Sequence, residues 1–266
     1  MRVDPRNLLL DMYSTAPEAA AAQRATLAGG IAAMVTLFAY PPAAHLLWLR
    51  WQQTGYRPDP RPQLMSRWVT AVTGSPPQQQ ALRRLVAGDK RHAEFPPEVD
   101  RDRFGSRYQA GDPVHRAAAY AIVCTLMLAA QERMYRQLDA AERDAYCAGC
   151  AATAGSVLGL GRRAPSDYAR LRASYETIVA TRLQGTSFGR AALAAMLDGS
   201  PPTPLPATLI RQAAQLADDR AVRHLGLGEA PARAAAHAVS SQAPSPDQSA
   251  LAHMERPGPE ELSRPA

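Results

Sequence analysis

The 266-residue sequence predicts an all-α protein, folded as a single globular domain of many helices. Alanine, the residue with the highest helix propensity, occurs in runs at Ala19–Ala22, Ala117–Ala119 and Ala234–Ala236. β-Branched residues, which favour strands, are sparse. Apolar residues recur with the helical period, and glycine and proline separate the periodic segments.

Three helices are predicted before the first long loop. Ser14 or Thr15 caps the first of them, and the pair Gly29–Gly30 ends it. A double proline then breaks the longest apolar stretch into a second and a third helix. The predicted helices span Pro17–Leu27, Ile31–Tyr40 and Pro42–Gln53, and the proline-rich loop Gly55–Pro62 follows.

The middle of the chain contains the most strongly predicted helix, Asp112–Leu138. Asp112 is a good N-cap and Pro113 is a favourable first helical residue. Two shorter helices precede it, at Gln63–Val72 and Gln78–Ala87. The segment Gly88–Gly111 shows neither helical nor strand periodicity, and irregular segments of this length are usually functional or mobile.

Further helices are predicted towards the carboxyl end. One follows a short turn after Leu138, the next is capped by Ser166, and a third is capped by Ser187. They span 140–158, 166–182 and 187–199, and after the linker Ser200–Pro206 two more span Ala207–Leu225 and Ala230–Val239. We therefore predict a helical domain over residues 1–240. The Pro- and Ser-rich tail, 241–266, is expected to be disordered or docked on a partner.

Composition indicates a cytoplasmic protein without nucleic-acid or membrane partners. The formal net charge is +6, and the basic residues are almost all arginines spread along the chain rather than gathered in one stripe. No arginine–aromatic cluster suggests nucleic-acid binding. The apolar run near the amino terminus is flanked by Asp4 and Asp11, unlike a signal peptide.

Two short motifs are predicted to be structural. Cys147 and Cys150 have CxxC spacing, but Cys124 is the only other cysteine, whereas a structural zinc site needs four ligands. We expect no metal site there, and buried thiols on a helix instead. The sequence Gly159-Leu-Gly-Arg162 follows a predicted helix rather than a strand, so it does not match a dinucleotide-binding turn.

Three segments, in order over Leu27–Leu227, carry patterns that occur together in a known family. In Ala28–Pro42 a glycine pair precedes an apolar helix that leads to Tyr40 and Pro41. Gly105–Pro113 follows the pattern Gly-x-x-Tyr-x-Ala-x-Asp-Pro, and Leu205–Leu227 combines Leu-Pro, a helix and Gly-Leu. The three segments resemble the family of rubber oxygenases (latex clearing proteins) and MpaB-like proteins, which usually has a histidine in place of Tyr40.

The resemblance implies a globin-like helical bundle that holds haem b through a histidine on the helix after Asp-Pro. A gapless count from Asp112 puts Tyr120 at that position, so the chain is similar to a divergent member without the haem-ligating histidine. Arg67 and Thr70 fall near the family's distal arginine and threonine. Glu132 and Arg133 fall where the family often has an acidic residue and its neighbour.

We expect Tyr120 to face a cavity between its helix and residues 31–53, with its hydroxyl hydrogen-bonded. Cys124, Met127 and Gln131 recur on the same stripe of the helix. The candidate catalytic residues are Glu132 as base, Arg67 as cation and Tyr120. The candidate substrate-binding residues are Tyr40, Thr70, Cys124, Met127, Gln131 and Arg133. His45 and His115 are weaker candidate haem ligands, and a helix–helix salt bridge is an equally good interpretation of Glu132.

Three functions remain open from the sequence. The first is a haem-free step in bacterial specialised-metabolite biosynthesis, with no cofactor, such as ring closure by displacement or elimination of an anionic leaving group. The second is a haem b oxygenase with Tyr120 as axial ligand. The third is a non-catalytic subunit of a heteromeric enzyme. The expected partners are a small-molecule substrate, which can be anionic, and a second protein chain in a homo- or hetero-oligomer.

Overall fold

Helices dominate the part of the chain that the computed structural model describes, namely residues 17–54, 68, 70–72, 74–87, 92–197, 212, 213 and 215–226. The predicted all-α class is confirmed. The helices are α1 (Pro17–Phe38), α2 (Pro41–Thr54), α3 (Pro76–Ala87), α4 (Arg101–Phe104), α5 (Pro113–Met134), α6 (Ala140–Cys150), α7 (Tyr168–Thr181), α8 (Ser187–Leu197) and α9 (Asp219–His224).

Helix α1 runs without interruption through Gly29–Gly30, where a break was predicted. A Cβ atom on Gly29 would lie 3.0 Å from the Leu126 carbonyl oxygen, the Met127 Cα and the Ala130 Cβ of α5. The glycine therefore serves close packing of α1 against α5, the most extensive helix pairing among the described residues. That contact outweighs the low helix propensity of glycine.

Helices α1 and α2 meet at a corner of 90°. Tyr40 occupies the corner, and its carbonyl accepts hydrogen bonds from the N–H groups of Ala43 and Ala44 in the first turn of α2. Pro41, the first residue of α2, has no N–H to leave unpaired there. The second of these helices thus begins one residue before the predicted Pro42, and the first ends two residues before the predicted Tyr40.

The segment predicted to be irregular contains a small hairpin. Strands β1 (His92–Glu94) and β2 (Arg107–Gln109) pair antiparallel, with Ala93 opposite Tyr108. Helix α4 lies between them and is capped by the Asp100 carboxylate, which accepts from the N–H groups of Asp102 and Arg103. Strands of three residues are too short to show alternation, so the sequence pattern could not reveal them.

Helix α5 is the central helix and packs against α1, α7 and α6. The Asp112 carboxylate accepts from Val114 N–H, which confirms the predicted cap, and the helix ends four residues before the predicted Leu138. It is long and apolar enough to cross a membrane, but 56% of its apolar window is buried inside the protein. A helix in a protein core can have the same length and apolar composition, and such a helix is mostly buried, as α5 is.

The later helices differ from prediction mainly at their ends. Helix α6 begins with a capping box formed by Asp139 and Glu142, and a π-helical turn, Ala151–Gly155, follows it. Asp167 caps α7 in place of Ser166. The predicted helix Ala207–Leu225 is wrong as one unit. The described part is interrupted at 217–218, where the Asp218 carboxylate begins α9 by accepting from Arg220 N–H.

Several predicted features lie outside the described residues. They are the loop Gly55–Pro62, most of the helix Gln63–Val72, the linker Ser200–Pro206, the helix Ala230–Val239 and the tail 241–266.

Candidate functional site

Two hydrogen-bonded tyrosine–histidine pairs lie together where α2, the hairpin and the start of α5 meet. The Tyr40 hydroxyl is 2.7 Å from Nδ1 of His115, and the Tyr108 hydroxyl is 3.1 Å from Nδ1 of His45. The ring centroids of Tyr108 and His115 are 5.9 Å apart, so the two pairs are adjacent. We call these four residues the Tyr–His cluster.

Phenylalanine side chains enclose the Tyr–His cluster. Their ring-centroid distances are 4.4 Å for Phe95–Tyr108, 5.1 Å for Phe188–His45 and 6.4 Å for Phe104–Tyr40. Tyr40 and His45 are each 3% exposed and Tyr108 is 5% exposed, whereas His115 is only half-buried. His115 is therefore the most exposed member of the cluster.

Local structure fixes each member of the cluster. Tyr40 is held at the α1–α2 corner, and His45 follows one turn into α2. Tyr108 is the buried middle residue of β2. His115 is the third residue of α5, one turn from the Asp112 cap. The two segments Ala28–Pro42 and Gly105–Pro113, singled out for their resemblance, thus converge on this cluster.

Burial keeps Tyr40 and both histidines of the cluster neutral. It lowers the pKa of His115 below its ordinary value of 6.5, with Asp112 opposing and Arg182 reinforcing the shift. It also lowers the pKa of His45, against the charge of Glu98. The pKa of Tyr40 is raised well above its ordinary value by burial, although the Arg182 charge lowers it. Near neutral pH the two imidazoles and the Tyr40 phenol are therefore uncharged.

A neutral His115 can act as either an acid or a base, depending on its tautomer. With the proton on Nδ1, the ring donates to the Tyr40 oxygen and Nε2 offers a lone pair. With the proton on Nε2, Tyr40 donates to Nδ1 and the Nε2–H group becomes a proton donor. The pair thus suits proton transfer at Nε2, with Tyr40 fixing the ring.

Acid should destabilise the fold through the two buried histidines. Because the pKa values of His45 and His115 are lowered in the folded state, the unfolded chain binds more protons as the pH falls through about 6.5. Their stabilising contribution is fully present above that pH and is lost towards the lower folded-state pKa. We expect the melting temperature to fall as the pH drops below about 6.5, and to fall less in His45→Gln. The exposed His92→Gln serves as control, and a flat profile for the parent would contradict neutral burial.

Tyr120 is buried in a group of thiols. The side chain is 1% exposed, and its ring centroid lies 6.2 Å from that of Trp68. Its hydroxyl makes a long hydrogen bond, 3.4 Å, to the Pro165 carbonyl. Burial, and then the neighbouring Cys124 and Cys150, raise the pKa of Tyr120 far above its ordinary value. The hydroxyl is hydrogen-bonded as expected, and its neighbours belong to the α6 side of the helix rather than to residues 31–53.

The three cysteines are free, buried thiols, as predicted. Burial raises the pKa of Cys124 well above its ordinary value and that of Cys147 to about 12. Thiols with raised pKa values stay protonated near neutral pH. They are poor nucleophiles and poor metal ligands, because both roles require the thiolate.

Glu132 forms a helix–helix ion pair. Its Oε1 atom is 2.6 Å from Nε of Arg143 on α6, and the two side chains are 14% and 30% exposed. Arg133 instead donates to the carbonyl and the side-chain oxygen of Gln215. Arg67, the cation assigned to this carboxylate by the sequence, lies outside the described residues. The ion pair favours the structural interpretation of Glu132 over its assignment as a base.

Replacing Glu132 by glutamine is expected to lower the melting temperature, because Arg143 loses its carboxylate. Glu176→Gln removes the Arg172–Glu176 pair, in which the side chains are 62% and 60% exposed, and should cost less stability. Thermal denaturation of the three proteins is the measurement. A Glu132→Gln protein with the parent's melting temperature would contradict a structural role for this ion pair.

The other predicted binding residues lie in helix contacts. Gln131 donates to the Thr26 hydroxyl of α1 at 3.0 Å, and both residues are buried. Met127, on the same stripe, packs against Gly29. Thr70 is half-buried, and its carbonyl accepts from Gly74 N–H. Of the predicted catalytic and substrate-binding residues that the structure describes, only Tyr40 belongs to the Tyr–His cluster. His45 and His115, the weaker candidate haem ligands, belong to it as well.

The surroundings of Tyr120 do not suit the haem that the family resemblance implies. An axial tyrosine binds iron as a phenolate, usually with a nearby cation that lowers its pKa. Here burial and thiols raise that pKa, and the hydroxyl is directed to a carbonyl.

A family model described as ER-bound oxygenase mpaB/B'/rubber oxygenase, catalytic domain, matches residues 18–243. No curated protein and no solved structure matches the chain. The family match covers most of the 266 residues and includes the segments that build the Tyr–His cluster. The chain therefore belongs to the MpaB/rubber oxygenase catalytic-domain family.

Proposed function

We propose that this protein catalyses a haem-independent, non-oxidative step in specialised-metabolite biosynthesis. The reaction is ring closure by intramolecular displacement, or elimination, with loss of an anionic leaving group. The observation that carries this proposal is the Tyr40–His115 pair, a neutral imidazole fixed by a buried phenol at the accessible end of the Tyr–His cluster.

In the proposed reaction, Nε2 of His115 removes a proton from a hydroxyl or C–H group of the substrate. The released electron pair forms the new bond, and the carbon–leaving-group bond breaks with its electrons on the leaving group. His115 becomes an imidazolium that donates through Nδ1 to the Tyr40 oxygen, 2.7 Å away. No electron acceptor is needed, since the substrate is converted to product, an anion and a proton.

Arg182 is the cation suited to the leaving anion. Its charge acts on both Tyr40 and His115, and its guanidinium carbon lies 6.0 Å from the centroid of the Phe104 ring at the edge of the cluster. One hydrogen bond, from Nη1 to the Arg103 carbonyl at 2.7 Å, orients the group without neutralising its charge. A fixed cation beside a developing anion is a common source of transition-state stabilisation.

The second pair has a supporting role in this proposal. Tyr108 and His45 are buried and enclosed by Phe95 and Phe188, so a substrate does not reach them directly. Tyr108 packs edge-on against the His115 ring and restricts the orientation of that ring. Glu132 and Tyr120, assigned to catalysis from sequence, are then residues that stabilise the fold.

The proposal is tested by deleting the gene in its native host and complementing the strain with the parent or with His115→Gln. We expect a precursor to accumulate in the deletion and in the His115→Gln strain, and to disappear with the parent gene. The precursor and the product should differ by loss of the leaving group with a proton. Growth under isotopically labelled dioxygen should place no label in the product at this step.

Label incorporation that depends on this gene would overturn the non-oxidative proposal and favour oxygenase chemistry. His224→Gln is a matched control, because His224 is another histidine with a pKa lowered by burial but lies on α9, outside the cluster. This control should restore the product.

A further inference from the structure

Three segments of unusual charge are joined by arginine hydrogen bonds. They are α3, the first turns of α5 and the stretch 156–163 that follows the π-helical turn. Apart from the Asp112 cap of α5, they contain no aspartate or glutamate, although the whole chain has 24 acidic residues. Together they present Arg83, Arg116, Arg162 and Arg163, which we call the arginine face.

Hydrogen bonds hold two of these guanidiniums in place without neutralising them. Arg83 donates from Nη2 to the Ser156 hydroxyl at 2.8 Å, and Arg116 donates from Nη1 to the Leu158 carbonyl at 2.6 Å. The Nε atom of Arg116 is buried and has no hydrogen-bond partner among the described residues. Both bonds connect α3 and α5 to the same short stretch, so the charges are fixed relative to one another.

Several arginines elsewhere in the described part of the chain form ion pairs with carboxylates. Such ion pairs join Arg103 to Asp100, Arg107 to Glu94, Arg136 to Glu142, Arg170 to Asp167 and Arg172 to Glu176. Within the described part of the chain, no carboxylate forms an ion pair with any member of the arginine face. The face therefore offers planar guanidinium groups whose natural complements are carboxylates or phosphates.

Exposed apolar side chains accompany these charges. Leu85 on α3 is 58% exposed and Val114 on α5 is 57% exposed. Arginine next to apolar contact area is typical of protein–protein interfaces. The segments carry no exposed aromatic residue on which a nucleic-acid base would stack.

The backbone at Gly161 is also open to close approach by a partner molecule. Gly159 and Gly161 have φ values of 67° and 52°, and a Cβ atom on Gly161 would meet nothing within 4 Å. No side chain therefore shields the backbone at Gly161 itself. We propose that the arginine face is the docking site for an acidic surface of a second protein.

The test measures binding of fluorescent poly-L-glutamate to the full-length protein, with Arg162→Gln/Arg163→Gln as the variant. Neither side chain donates a hydrogen bond to a described residue, so the fold should be retained. Arg220→Gln/Arg223→Gln is the matched control, because it removes the same charge where Asp218, Asp219 and Glu176 line a shared cleft. We expect binding to weaken about threefold to tenfold in the face variant only, and to weaken further with salt.

Arg83→Gln should weaken binding as well, which tests that α3 contributes to the same surface. Equal loss in the face variant and the control would overturn the proposal, since binding would then follow net charge alone. Phosphatidylserine vesicles form a second arm. Vesicle binding that depends on the face and exceeds poly-L-glutamate binding would overturn a protein partner in favour of a membrane. These outcomes do not depend on the proposed enzymatic reaction.

Discussion

Replacing His115 by glutamine is expected to lower turnover by about 10²- to 10⁴-fold, because the proton-transfer group is lost. Glutamine keeps a polar side chain near Tyr40 but does not accept a proton near neutral pH. The measurement is the initial rate with the precursor that accumulates in the deletion strain. His224→Gln is the control, and circular dichroism establishes that both variants are folded.

Tyr40→Phe refines the same prediction. Phenylalanine retains the aromatic packing at the α1–α2 corner but removes the hydrogen bond to His115 Nδ1. The rate should fall less than in His115→Gln, because the imidazole remains and only its orientation is lost. A His115→Gln enzyme that retains the parent rate would contradict the assignment of His115, whatever the effect at Tyr40.

Replacing Gly189 by alanine is expected to destabilise the protein by about 3 kcal/mol, in the upper range for overpacked core sites. The added methyl group would overlap the carbonyl oxygen of Phe38 at the end of α1. A backbone carbonyl cannot move aside as the end of a flexible side chain can. Helix α8 must therefore move away from the α1–α2 corner, where Tyr40 lies. A reduced urea midpoint is the expected observation.

The control for this prediction is Ala194→Gly, which changes a Cβ atom at an exposed position of α8. It should cost only about 1 kcal/mol, through helix propensity. A Gly189→Ala protein with the parent's urea midpoint would show that the close approach of α8 to Phe38 is not maintained in solution.

The fold was predictable where local chemistry decides it. Asp112 followed by Pro113 predicts the start of α5, and the double proline Pro41–Pro42 predicts the corner between α1 and α2. Gly29 was predicted to end a helix, because the sequence around it does not reveal its contact with α5, which lies about a hundred residues later in the chain. The break before α9 was not predicted for a related reason. In the sequence Asp218 is compatible with a continuous helix, and only the structure shows that its carboxylate caps α9.

The site was predictable only in part, because its hydrogen bonds join residues far apart in sequence. Tyr40 and His115 are 75 residues apart, and His45 and Tyr108 are 63 apart. A lone histidine on a helix shows no sign of its partner, so His45 and His115 ranked as weak candidates. One signal was available: Tyr40 and Tyr108 both lie in the segments that resemble family motifs. Tyr120 and Glu132, ranked higher by position, have packing and ion-pair partners instead.

The most direct test of the account is the absorption spectrum of the protein purified from cells supplied with a haem precursor. If catalysis is haem-independent and Tyr120 is a core residue, the purified protein should lack a stoichiometric Soret band, and Tyr120→His should not create one. Activity on the accumulated precursor, measured on the same sample, should be complete without added haem. A stoichiometric Soret band in the parent that disappears in Tyr120→Phe would contradict the account and establish Tyr120 as an axial ligand.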